Sequence, residues 1–257
     1  MIPFVKATAY GNDFLVVWES DFEGNRREAT IALCHRTTGV GADGVEWLRK
    51  DSSGESDVVA TLINSDGSGA EISGNGTRCV AAYMAEQSRA RRVRIRTGTG
   101  VKECEFMSRE EQSYRFAMNM GVPINVQDRK IGEWDGVFVD LGNPHFVVIV
   151  DALPKDWREV ARSLQQREDA FPQGVNVEFV RVASREQVSA QFYERGAGET
   201  SSSGTGSCAS AVACHHRKLV ENAVKVSAPG GPQVVELGDT IKLHGEARII
   251  CRGEAWL

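Results

Sequence analysis

Two segments of this 257-residue chain repeat one pattern: Ser73-Gly74-Asn75-Gly76-Thr77 leads into RCVAAYMAEQ, and Ser203-Gly204-Thr205-Gly206-Ser207 leads into CASAVACHHRKL. In each, small flexible residues precede a run rich in Ala and Val. Each loop is therefore expected to end at a helix N-terminus whose free N–H groups attract an anion. Serine is a favoured N-cap and glycine a turn former, which accounts for either segment alone. The pair, set 130 positions apart, constrains the fold more: it predicts two similar halves that face one shared site.

Short runs rich in Val, Ile and Phe predict strands at 13–18, 57–63, 92–96, 114–118, 136–141, 145–150, 175–182, 187–193 and 241–251. Helical patterns cover 26–36, 76–89, 155–168 and 206–220. Strands outnumber helices and often follow one another through short turns. The expected fold is α+β, with a mostly antiparallel or mixed sheet wrapped around a helix in each half. The domains are expected at 1–122 and 123–257, with a linker near Gly121–Asp135, where VPINVQDRKIGEWDG interrupts the strand pattern with Pro and Gly. The C-terminal strand is free to pair back into the first domain.

Thirty basic against thirty-five acidic residues give a formal charge of -5, which disfavours nucleic acid as a partner. RARRVRIR, residues 89–96, alternates Arg with Val and Ile and reads as the solvent face of a strand rather than a phosphate tracker. The start of the chain lacks a signal-peptide pattern and no run approaches a membrane span, so a soluble, cytoplasmic protein is expected, with no membrane partner. Cys34, Cys79, Cys104, Cys208, Cys214 and Cys251 show no CxxC spacing, which argues against a zinc site and against a disulfide framework. Cys79 and Cys208 read as small buried residues. Gly39-Val40-Gly41-Ala42-Asp43-Gly44 fits GxGxxG, yet it follows a helix and enters a strand, the reverse of the dinucleotide-binding order. No nicotinamide or flavin cofactor is expected, and no lysine stands out as a pyridoxal anchor.

Polar residues gather in the loops around the two serines: Asn12 in YGNDF, Asn64 in INSDGS, Asn143 and His145 in LGNPHF, Asn176 in GVNVEF, and Glu194-Arg195 in YERGAGET. Asparagine in a turn often satisfies only its own backbone. Taken together, an arginine fork for a carboxylate and several amides offering donors and acceptors suit a zwitterion.

The order GNDF, GVGADG, NSDGS, SGNGTRC, GNPHF, GVNVEF, ERGAGET and SGTGSC, from residue 11 to 208, resembles the diaminopimelate epimerase family. The resemblance implies two pseudo-symmetric domains, each a sheet curled around a central helix, and a cofactor-independent epimerisation of an amino acid between them. It implies that Gly74, Asn75, Gly204 and Thr205 surround the substrate α-carboxylate through backbone N–H groups. Asn12, Asn64, Asn143, Asn176, Glu194 and Arg195 would hold the substrate, and His145 and Glu194 would tune the acid and base. It also implies no metal, and a homodimer.

The departure lies at the centre, because the family places a cysteine where this chain has Ser73 and Ser203. A thiol titrates near ~8.5 and an electropositive helix end lowers that further, whereas an alcohol is far less acidic. Proton abstraction then requires His145 or Glu194 to take the proton directly or through the serine hydroxyl. Four readings stay open from the sequence: a diaminopimelate epimerase working with serines, a same-fold isomerase or dehydratase on another amino acid, an impaired binding paralogue, and a Cys-to-Ser variant.

Overall fold

The computed structural model describes residues 1–88 and 90–257. The chain divides into two compact units, Met1–Met118 with Gly245–Leu257, and Asn119–His244. Along the chain the elements begin β1 (Ile2–Ala9), β2 (Asn12–Trp18), α1 (Arg26–Cys34), β3 (Gly44–Arg49), β4 (Val58–Asn64), β5 (Gly69–Ala70), α2 (Gly74–Ser88), β6 (Arg92–Thr97), β7 (Gly100–Glu110) and β8 (Ser113–Gly121). They continue as β9 (Asn125–Ile131), β10 (Trp134–Asp140), β11 (Pro144–Ile149), α3 (Trp157–Gln165), β12 (Asn176–Ser184), β13 (Gln187–Glu194), β14 (Gly198–Thr200), α4 (Gly204–His216), β15 (Ala223–Ala228), β16 (Gly231–Glu236) and β17 (Ile241–Ala255).

Each unit repeats one connectivity. In the first, β1 pairs antiparallel with β2, β2 runs parallel to β3 across α1, β3 pairs antiparallel with β4, and β4 runs parallel to β6 across α2. In the second, β10–β11, β11–β12 across α3, β12–β13, and β13–β15 across α4 follow the same alternation of antiparallel and parallel pairs. The architecture is the expected sheet-rich α+β fold with a buried helix in each half.

Strand alternation sorts the side chains onto two faces. In the second unit Phe146, Val148, Val177 and Phe179 pack with Trp157, Ala161 and Leu164 of α3. The intervening residues, His145, Asn176 and Glu178, therefore point to the other face. In the first unit Leu15, Val17, Val45 and Trp47 pack with Ala29 and Leu33 of α1, which leaves Phe14, Gly44 and Glu46 on the opposite side. α2 and α4 are buried nearly all round and built largely of Gly, Ala, Ser and Cys, so they sink close to the strands.

Three readings of the sequence change. Residues 121–135 are not a linker: Asn125–Ile131 form β9, which pairs with β10 from Trp134↔Ile131 to Asp140↔Asn125. Its sequence NVQDRKI is polar because, among the described residues, β10 is its one partner, and charge on such an edge discourages further pairing. Strands β1, β3, β7, β15 and β16 lie outside the predicted runs, since Pro3, Glu46, the charges of β7 and Pro232 dilute the apolar pattern. The helix predicted over 76–89 begins earlier, at Gly74, and Arg89 lies outside the described residues.

The glycines of GVGADG serve the turn between α1 and β3. A Cβ on Gly39 would stand 2.1 Å from the Ala32 carbonyl oxygen, and Gly41 has φ of 78°. Glycine there lets the chain double back under the helix end. In β6, Val93 and Ile95 are buried, while Arg92, Arg94 and Arg96 pair with Glu103, Asp57 and Asp51.

Phe146 sits fully buried among the α3 cluster. Phe146→Ala is expected to destabilise the protein by about 3–5 kcal/mol, read as a lowered urea midpoint with an unchanged slope.

Candidate active site

Each serine caps its helix in the same way. The Gly76 N–H donates to Ser73 Oγ at 3.0 Å and the Thr77 N–H to the Ser73 carbonyl at 2.8 Å. The Gly206 N–H donates to Ser203 Oγ at 3.0 Å and the Ser207 N–H to the Ser203 carbonyl at 3.0 Å. A capping hydroxyl accepts through its oxygen, so its own proton remains available to donate.

In the second unit that proton is committed: Ser203 Oγ donates to Glu194 Oε1 at 2.7 Å. Alternation along β13 puts Glu194 on the face of Phe192, whose ring lies against Gly206. Thr205 Oγ1 accepts from the Asn143 amide at 3.3 Å, and Asn143 Oδ1 lies 3.2 Å from His145 Nε2. On its other side His145 Nδ1 meets Glu178 Oε1 at 2.7 Å, with both side chains fully buried. Both ring nitrogens thus face oxygen. Burial pushes the Glu178 carboxyl up, against the opposing pull of His145, and among the described residues its buried Oε2 has no hydrogen-bond partner. Asn176 donates to the Pro144 carbonyl at 3.0 Å and accepts the Arg195 N–H at 2.9 Å, tying β12 to the residue after Glu194. The Arg195 side chain folds over Gly174 and donates to the Gln173 carbonyl. The structure therefore gathers Asn143, His145, Glu194, Ser203, Gly204 and Thr205 at the N-terminal end of α4, while Asn176 bonds the Arg195 backbone and the Arg195 side chain turns to Gln173.

In the first unit Ser73, Gly74 and Asn75 form the start of α2. Asn12 donates to Asp43 Oδ2 at 3.0 Å and accepts from the Asn75 amide at 2.8 Å. Arg78, fully buried and 5.2 Å from the Tyr10 ring centroid, donates in turn to Asn75 Oδ1. Asn64 stands opposite Gly44 in the β3–β4 register and donates to Ser68 Oγ at 3.0 Å, a bond within its own turn. The register equates it with Glu194, which follows Phe192 as Asn64 follows Leu62.

Three contributors escape a reading of sequence alone. Arg78 stood within the SGNGTRC motif, but its burial was not visible. Glu178 and Glu46 occupy matching places in β12 and β3: Glu178 lies between Val147 and Phe192, and Glu46 between Val16 and Leu62. Each carboxyl touches the second glycine of its serine loop. A Cβ on Gly206 would lie 3.0 Å from Glu178 Oε1, and one on Gly76 only 2.1 Å from Glu46 Oε1. Burial alone pushes the Glu46 carboxyl up to about 8. An acidic residue inside an otherwise apolar strand was the available signal. Cys79 and Cys208 are fully buried beside these loops. Among the described residues no cluster of His, Cys, Asp and Glu is arranged to hold a metal, and no helix is long and apolar enough to cross a membrane.

The Diaminopimelate epimerase family model matches residues 4–126 and 137–250. A diaminopimelate epimerase of Clostridium perfringens is 35% identical over 97% of this chain and 98% of its own. The chain belongs to the diaminopimelate epimerase family. A relative of that name from Methanocaldococcus jannaschii is 30% identical over 96% of both chains. Among solved structures, a hydroxyproline epimerase from Agrobacterium vitis superposes with a TM-score of 0.70 at 14% identity, covering 99% of this chain and 91% of that one. A PhzF-family phenazine biosynthesis protein of Bacillus anthracis gives 0.69 at 14% identity, over 100% and 99%. These two show the shared fold. Membership of the family makes the chain an isomerase of the epimerase and racemase kind.

Two outcomes are expected. Gly76→Ala destabilises more than Gly206→Ala, and the double variant Gly76→Ala, Glu46→Ala recovers part of the loss, as a double-mutant cycle in urea would read. Unfolded Glu46 ionises near 4.5 while the folded carboxyl keeps its proton to about 8. Between those values the unfolded state binds fewer protons, so stability falls as pH rises. Glu46→Gln removes that loss, and its advantage over the parent grows across the window by an amount on the order of a few kcal/mol.

Proposed function

We propose that this protein interconverts LL- and meso-diaminopimelate by proton transfer at Cα, without a cofactor, with Ser73 and Ser203 at the two acid–base positions. The observation that carries the reading is the 2.7 Å bond from Ser203 Oγ to Glu194 Oε1 at the cap of α4. It supplies what an alcohol lacks, an adjacent carboxylate able to take the hydroxyl proton as the oxygen receives another. Inversion needs a base on one face of Cα and an acid on the other, and the reading gives these roles to the two serines. His145 and Glu194 are their proton partners.

The N–H groups of Gly74, Asn75, Gly204 and Thr205 take the α-carboxylate, whose charge grows more delocalised as the proton leaves. Asn12, Asn64, Asn143, Asn176, Glu194 and Arg195 hold the rest of the substrate, with Arg195 facing a carboxylate. The Asn12–Asn75–Arg78 chain of hydrogen bonds supports this by fixing the Asn75 side chain. A cytoplasmic setting and a homodimer complete the proposal.

Incubating the protein with LL-diaminopimelate in deuterated buffer tests it by NMR. The α-proton signal is expected to disappear slowly with the serine form. It should fade faster in a Ser73→Cys, Ser203→Cys variant, by ~10²-fold or more, the range of acid–base contributions. No exchange in either form would rule out this substrate.

A further inference from the structure

Glu46 is 3% exposed and sits at the middle of β3. Its neighbours across the sheet are Val16 and Leu62, and on its own strand Gly44 and Leu48 share its face. That face looks toward α2. A point one bond beyond the Gly76 α-carbon lies 2.1 Å from Glu46 Oε1 and 3.3 Å from Ser73 Cβ. The carboxyl is therefore aimed into the first turn of α2, beneath the serine loop.

The second unit holds a glutamate at the same place, with one difference. Glu178 is paired with His145, which stands opposite Asn176 in the parallel register, two positions before the acid. The matching residue before Glu46 is Phe14, opposite Gly44. The imidazole that accompanies the buried acid in one unit is a phenyl ring in the other.

A carboxylate at a helix N-terminus competes for the same N–H dipoles that would bind a ligand anion. In the second unit the His145 imidazole is hydrogen-bonded to the buried acid. In the first, a phenyl ring takes that place, and burial favours the uncharged acid. We propose that Glu46 is a positioning residue of the Ser73 loop: a carboxyl held neutral under the first turn of α2, which leaves that helix end free for an anionic carboxylate of the substrate. This rests on the reading that Gly74 and Asn75 take that carboxylate.

The surroundings agree. From α2, the Cys79 thiol lies within electrostatic reach of Glu46, and burial keeps it protonated. Arg78 and Asp13 also act on Cys79, and burial raises the Glu46 carboxyl. β4 and β2 offer Leu62 and Val16. α1 packs on the opposite face of β3, and Glu19, in the turn before α1, is paired with Arg26.

The test uses the full chain with carbon-13 at the glutamate side-chain carboxyls, and the Glu46 resonance assigned by its loss in Glu46→Gln or Glu46→Leu. Its midpoint is followed by NMR alone, with sulfate, and with LL-diaminopimelate. Anion affinity is measured by calorimetry at about pH 6.5 and about pH 9. Glu46 is expected to titrate above the ordinary carboxylate range, and to move higher when either anion binds, because a like charge disfavours ionisation. Affinity in the parent should fall about tenfold across the range, the scale of a like-charge contact in a semi-polar site, and stay level in Glu46→Gln.

An ordinary midpoint overturns the proposal, as does a midpoint unmoved by bound anion or the same affinity loss in the glutamine variant. If neither variant folds, the resonance is assigned by through-bond correlation to the Glu46 backbone, and the parent titration with and without sulfate still decides. Linkage to sulfate without any diaminopimelate binding upholds the role of Glu46 and removes the proposed substrate. Diaminopimelate binding without linkage removes Glu46 alone.

Discussion

Both halves of this molecule depend on one close approach: the start of a central helix settles onto a strand carrying a buried carboxyl, and only glycine leaves room for it. Gly76 and Gly206 occupy those points, each three residues after a serine whose oxygen caps the helix. The strand alternation that sends Phe146 and Phe179 outward to α3 sends His145 and Glu178 inward to α4. Core packing and site geometry are therefore one arrangement seen from opposite faces of the same sheet.

The serine hydroxyl at position 203 serves two masters. Its oxygen accepts from a backbone N–H, which lowers its basicity, and its proton is directed at Glu194. A thiol in that place would ionise on its own with help from the helix end. An alcohol works only in company, and the proposed reading shifts the chemical weight from the capping residue to the carboxylate on the neighbouring strand. The family chemistry and the serine substitution are thus compatible to the extent that Glu194 acts as more than a substrate contact.

Much of this was legible in the sequence because it rests on local signals. The matched Ser-Gly-X-Gly loops gave both central helices, the Val- and Phe-rich runs gave strands such as β2, β11 and β12, and the asparagines in turns marked the loops around the helix ends. What escaped depended on tertiary context. β9 reads as a linker because an edge strand has no second partner to demand apolar residues, and β3 was missed because Glu46 breaks its pattern. The surroundings of that acid could not be read, since they come from Val16, Leu62 and Gly76, residues distant in sequence. The Asn64 amide shows the reverse: the turn accounts for its bond to Ser68, and the β3–β4 register supplies its equivalence to Glu194.

The pairing of β1 with β17 joins Ile2 to Ala255 and Thr8 to Arg248, so the first strand made is bonded to almost the last. In the second unit, Asn119–His244, β16 finds its β17 partners, Lys242, Leu243 and His244, within the unit itself. On a ribosome, the half that emerges first therefore has to wait with one strand edge open until the other half has been made. Order of synthesis and order of completion run in opposite directions, and the exposed edge of β1 is the segment that nascent-chain chaperones would have to shield in the interval.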